Sequence, residues 1–155
     1  MRRARSCNFI AMSTYRKSEI YRIPGKLIGE HIPEIQTILD SWNSSLFVSL
    51  EDWKSTVFDI GIMDYAPKHD VKNWIIDTSE ARSVFPPKIQ EFRQSVAKKA
   101  LQDNGVKRLI VVHPKSGIGK FSAAKTAELY DSDELKTFDV ESLQEAFDII
   151  QQSSN

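Results

Sequence analysis

A chain of 155 residues has the size of one domain, and folding it buries roughly two-thirds of its unfolded surface. With 41% hydrophobic and 27% charged residues, neither a disordered chain nor a repeat array is expected, and no run of about 18 apolar residues offers a membrane span. Twenty-one basic and twenty-one acidic side chains cancel, which removes the overall field that a nucleic-acid or anionic-membrane binder carries.

The chain starts "MRRARSCNFIAM", basic and then briefly apolar, with an apolar part too short and interrupted for a signal peptide. Residues 1–17 are expected to be a disordered leader, or in part a stretch ahead of a natural start at Met12. Their basic residues, Arg2, Arg3, Arg5, Arg16 and Lys17, read as a solvated tail. Cys7 stands alone, so a reducing, cytoplasmic setting is the simplest reading.

One α/β domain is expected over residues 18–152. Its first strand is "SEIYRI", Ser18 to Ile23, stopped by the turn dipeptide Pro24-Gly25. In the next segment, "HIPEIQTILDSWN", Ile35, Thr37 and Leu39 alternate as in a strand, while Ile32, Ile35, Leu39 and Trp42 fit a helical stripe. Periodicity leaves both open.

"VSLEDWKSTVFDIGIMDY" reads as a helix capped by Ser49, with Leu50, Trp53, Val57 and Ile60 on one face and Phe58, Ile62 and Tyr65 widening it. "WIIDTS" reads as a buried strand opening into a loop, where Asp77 is expected to anchor backbone amides. A second helix starts at Pro86-Pro87, carries Ile89, Phe92, Val96, Ala100 and Leu101 inward, and ends at Gly105 in a left-handed conformation. "VKRLIVVH" is the next buried strand, then an Ala-rich helix from about Ser122, a short strand "LKTFD", and a last helix capped by Asp139. Of the three tryptophans only Trp42 is expected near the surface.

Chemistry concentrates in "VVHPKSGIGKFSAAKT". It sits between a strand and a helix as a P-loop does, but Pro114 stands where the motif needs its first glycine and Phe121 where it needs a hydroxyl, so a Walker-type NTPase is not the expected reading. A weaker anion-binding reading remains for the amides of Ser116 to Lys120 with the side chains of Lys115 and Lys120. The plainer reading is a glycine turn with solvated lysines. His113 ends its strand on the side where open α/β sheets bind ligands. His31, His69 and His113 are far apart in sequence and none pairs at metal-ligand spacing, so no metal or cofactor is expected. Ser79 and Ser83 lack a GxSxG elbow, which removes a serine hydrolase.

From Ile35 onward, "DSWNSSLFVSLEDWK", "KNWIIDTSEA", "ALQDNGVKRLIVVHPKSGIGKFS" and "TFDVESLQEAFDII" resemble in order and spacing the STAS-like family of small bacterial proteins, related to anti-sigma-factor antagonists or described as CRAL-TRIO-like. The resemblance covers about three-quarters of the chain. It implies a mixed sheet of four or five strands with about four helices mainly on one side, "IQTILDSW" as a strand, and a regulatory binding role without catalysis. Antagonist-type members carry a phosphorylatable serine before the corresponding helix; here "SVFPPK" puts prolines there, and Ser83 is the nearest hydroxyl.

The resulting expectation is a non-catalytic binding module that presents the loops after its parallel strands to a protein partner or a small anionic or amphipathic ligand. Its contact residues would be Thr78, Ser79, Arg82, Ser83, His113, Lys115, Ser116 and Lys120. The rivals are an enzyme on a phosphorylated or acyl substrate with His113 as acid or base, and a homodimeric assembly module.

Overall fold

The computed structural model describes residues 15–114 and 134–153, and the sheet they form contains a strand that the sequence hides. Strand β1 (Ser18–Ile23) turns at Gly25, whose φ of 74° is open to glycine, and returns as β2 (Leu27–Ile32). β2 was not expected, because on its covered face "LIGEHI" presents Gly29 and His31 beside Leu27 and so lacks an apolar alternation. Gly29 is required there: a Cβ would lie 2.1 Å from the ring of Tyr21 on β1.

β3 (Thr37–Trp42), β4 (Asn73–Asp77), β5 (Arg108–Val112) and β6 (Lys136–Val140) complete a six-stranded mixed sheet, one strand more than the largest expected count. Its order is β1-β2-β3-β4-β5-β6, antiparallel across the first three strands and parallel from β3 to β6. The ambiguous segment is therefore a strand, entered through a short 3-10 turn at Pro33–Ile35.

Among the described residues there are three helices. α1 (residues 50–68) and α2 (residues 87–103) cover one face, and α3 (Leu143–Ser153) covers the other. The fourth expected helix, from about Ser122, lies outside the described residues. The core on the two-helix face contains Ile38, Trp42, Trp74 and Leu109, packed under Trp53, Val57, Ile62 and Ile89. Burying Trp74 alone is worth about 4 kcal/mol in area removed from water. On the opposite face Leu39, Ile75, Ile110 and Val112 meet Ala146, Phe147 and Ile150.

Two expected core residues face solvent, Ile60 at 42% and Val96 at 41%. Both belong to helices that are π-wound in the middle, α1 across Lys54–Tyr65 and α2 across Arg93–Ala97. A π-helix holds more residues per turn than an α-helix, so the inward positions fall at Trp53, Val57, Ile62 and Ala66, and at Ile89, Arg93 and Ala97. The 3.6-residue stripe drifts out of phase.

Ser49 caps α1 as expected, accepting from the Asp52 amide at 3.0 Å, and α2 ends at Gly105 with φ 91°. Trp42 is 5% exposed, against the expectation, because it alternates with Ile38 and Asp40 on the helix-covered face and meets Phe85 edge-on at 5.0 Å. α3 is capped by Ser142, which accepts from the Glu145 amide at 3.2 Å while Glu145 returns to the Glu141 amide at 3.1 Å. Asp139, the expected cap, belongs instead to β6. The last residues of the expected leader are tied to the domain. Tyr15 packs on Phe147 at 5.5 Å between ring centres and accepts from Gln151 at 2.6 Å, and the Arg16 amide donates to Glu34 at 2.7 Å.

Candidate functional site at the carboxyl rim

Because β3 to β6 are parallel, their carboxyl ends emerge together, and the two segments singled out in the sequence are neighbours there. The amide and hydroxyl of Thr78 donate to the Val112 carbonyl at 3.2 and 2.7 Å, and the next amide, of His113, donates to the Val140 carbonyl at 2.8 Å. Thr78, Ser79, Arg82, Ser83 and His113 thus share one rim. Lys115, Ser116 and Lys120, with the whole GIGK segment, lie outside the described residues.

The rim hydroxyls hold the loops in place. Thr78 is buried with its hydroxyl committed to Val112, and Ser83 accepts from the Leu46 amide at 2.8 Å. Asp77 accepts from the Ser79 amide at 3.0 Å, the anchoring role expected of it. Arg82 donates its amide to the Ser44 carbonyl at 2.8 Å. Its exposed guanidinium makes no ion pair or hydrogen bond among the described residues.

These ties join the loop after β3 to the loop after β4 and set a side chain that the sequence reading passed over. Phe47 follows the tied Leu46, Val84 follows the tied Ser83, and both face solvent, Phe47 at 70%. Lys26, in the β1–β2 turn, donates its ammonium to the Phe47 carbonyl and lies 5.8 Å from the centre of its ring. The signal available in the sequence was "SSLFVS", an aromatic two residues before a helix cap with no partner in the stripe.

His113 faces Asp139 with Nε2 3.7 Å from Oδ1, beyond hydrogen-bond reach. Desolvation raises the Asp139 carboxyl above the ordinary range, and His113 pulls it back. The other ring nitrogen, Nδ1, is buried without a hydrogen-bond partner among the described residues.

A second polar group lies under the helices. Asp40 on β3 accepts from the Tyr21 hydroxyl and, at 2.8 Å, from the Trp74 indole N–H, with buried Arg93 near enough to favour its charged form. Arg93 itself rests 4.7 Å from the Phe85 ring. Burial nevertheless pushes the Asp40 carboxyl up to about 6 and the Tyr21 phenol well above its usual range. The adjoining cavity, lined by Trp42, Trp74, Phe85 and Arg93, measures about 20 Å³. That is the scale of one water, against several hundred Å³ for an organic ligand.

The sheet order reinforces the contrast between rim and interior. Ligand crevices in open α/β sheets form where the strand order reverses, and the order from β1 to β6 runs without reversal. Among the described residues no group of three or more His, Cys, Asp or Glu side chains is placed to hold a metal ion, and no helix is long and apolar enough to cross a membrane. Protein-family models give no match to this chain, and comparison with curated proteins and with solved structures gives no significant one.

Proposed function

We propose that this domain is a non-catalytic protein-docking module whose contact surface is the carboxyl rim, centred on Phe47 with Val84 and Arg82 beside it. One observation carries the reading: Phe47 is 70% exposed on a loop fixed by hydrogen bonds to its neighbour. Apart from its contact with Lys26 the exposed ring leaves its burial energy unused, and a partner covering it would recover about 2 to 3 kcal/mol. An arginine without a counter-ion among the described residues, near an exposed aromatic ring, has the composition of an interface anchor. The favoured partner is a protein segment that offers an apolar side chain next to a carboxylate. A regulatory binding role is also what the STAS-like resemblance implies.

Two other readings have less behind them. A lipid or similar amphipathic ligand would need an enclosed space, whereas the interior cavity measures about 20 Å³ and the larger hollows, about 340 Å³ beside Lys26 and Asn43 and about 430 Å³ beside Met63 and Val96, are open surface clefts. Acid–base work by His113 would need a partner within hydrogen-bond reach, and Asp139 lies at 3.7 Å.

The test is a photo-crosslinking amino acid introduced at position 47, and separately at exposed Gln94 on α2, in the cells that make the protein. Position 47 is expected to give a discrete adduct that Gln94 does not, and Arg82→Glu is expected to weaken it. An adduct with the mass of two copies would turn the reading into homodimer assembly. The same diffuse products from both positions would overturn it.

A further inference from the structure

At the edge of the sheet opposite the rim, two histidines that the sequence separates come together. His31, on β2, is 7% exposed, and its Nδ1 lies 2.7 Å from the Tyr65 hydroxyl near the end of α1. The two rings meet edge to face at 5.1 Å. His69 stacks on the Tyr65 ring at 3.7 Å and 10° between planes, donating through Nδ1 to the Tyr65 carbonyl at 3.0 Å. The two imidazoles are 5.7 Å apart. His31 Nε2 is buried without a hydrogen-bond partner among the described residues.

We infer that His31, Tyr65 and His69 form a proton-operated latch: neutral His31 docks the last turn of α1 on β2, and protonation of His31 releases that turn and the linker to β4. The chemistry follows from the donor count. A neutral imidazole can accept the Tyr65 O–H or donate to its oxygen through Nδ1, and either way bears no charge. Imidazolium carries N–H on both nitrogens, so Nδ1 can only donate, Nε2–H has no acceptor, and a full charge sits out of water.

Among the described residues nothing nearby offsets that charge. At the end of α1 the neighbours are Tyr65 and, just past the helix, His69, while Lys68 is paired with Asp64 at 2.7 Å. In the linker Asp70 is held by Lys72 at 2.9 Å and by the Gln36 side chain at 2.8 Å. From the flanking strands the residues in register are Ser18 on β1 and Ile38 on β3, both uncharged. Desolvation holds the His31 imidazole below its ordinary value, and His69 acts in the same direction. The docked state is therefore fully stable above about 6.5, the value of a free imidazole, and weakens as pH falls below it.

Hydrogen exchange of the full chain, corrected for the intrinsic pH dependence of exchange, tests the latch. Protection of residues 65–71 is expected to fall between pH 7 and pH 5, while the amides of β4 and β5 keep theirs. His31→Gln retains a hydrogen-bonding group without titrating, and its protection should not fall on acidification. His69→Gln should reduce the loss. Unchanged protection in the wild-type chain, or an equal loss in His31→Gln, overturns the latch. The imidazole resonances of the unmutated protein provide a check independent of folding by the variant: His31 should titrate below 6.5, and a midpoint at or above that value overturns the inference as well.

Discussion

Asp40 and His31 lie one register step apart on the same covered face of the sheet, since Gly29 stands opposite Asp40 and Ile38 opposite His31. Desolvation pushes each toward its neutral form. They differ in what surrounds them. Asp40 has a donor on each oxygen and Arg93 nearby, whereas His31 has one hydrogen bond, one unserved nitrogen and a second imidazole beside it. For an acid the neutral form is protonated, and for a base it is deprotonated. Burial thus imposes opposite pH demands on two neighbours, and their partners decide which of them tolerates its charge.

The largest way to break this pairing is Gly29→Ala. The new Cβ would lie 2.1 Å from Tyr21 Cε1 and 2.4 Å from Cζ, so the ring that caps Asp40 must leave a site where it is 4% exposed. Losing that burial and stripping one oxygen of its donor should cost at least about 3 kcal/mol, read as a lower denaturant midpoint at unchanged slope. Tyr21→Phe separates the two losses: it keeps the ring and removes the hydroxyl, for an expected cost of about 2 kcal/mol. A Tyr21→Phe protein as stable as the wild type would leave Asp40 no better partnered than His31.

These positions also mark where the sequence could and could not be read. The parallel strands, the Ser49 cap and the turns at Gly25 and Gly105 were legible, because each rests on local chemistry within a few residues. β2 was not, because Gly29 answers to Tyr21 eight residues earlier and not to its own strand. Trp42 beside Ile38 could have been placed inside by alternation, and Asp40 between them would then have stood out as an acid on a core face. The outward turn of Ile60 and Val96 was hidden, since π-winding changes the period that the reading assumed. Of the rim, the sequence indicated that the loops of Thr78 and His113 are neighbours, but it missed Phe47, whose exposure depends on ties made across the sheet from Ser83 and Arg82.

The smallest effect sharpens the pairing most. The raised Asp40 carboxyl adds stability that is complete below about 3.9 and is lost as pH rises through about 6, so from pH 5 to pH 8 it falls by about 1 kcal/mol. His31 slopes the other way, its stability present above about 6.5 and lost on acidification. In the intact protein the two partly cancel between pH 5 and pH 7. Asp40→Asn removes one slope and should leave a protein that weakens as pH falls, and His31→Gln removes the other and should leave one that strengthens. Every other titrating group is common to the two variants, so subtracting one pH curve from the other, each taken from denaturant midpoints, isolates the pair. Diverging curves are expected; parallel curves would mean that burial does not drive the two groups in opposite directions.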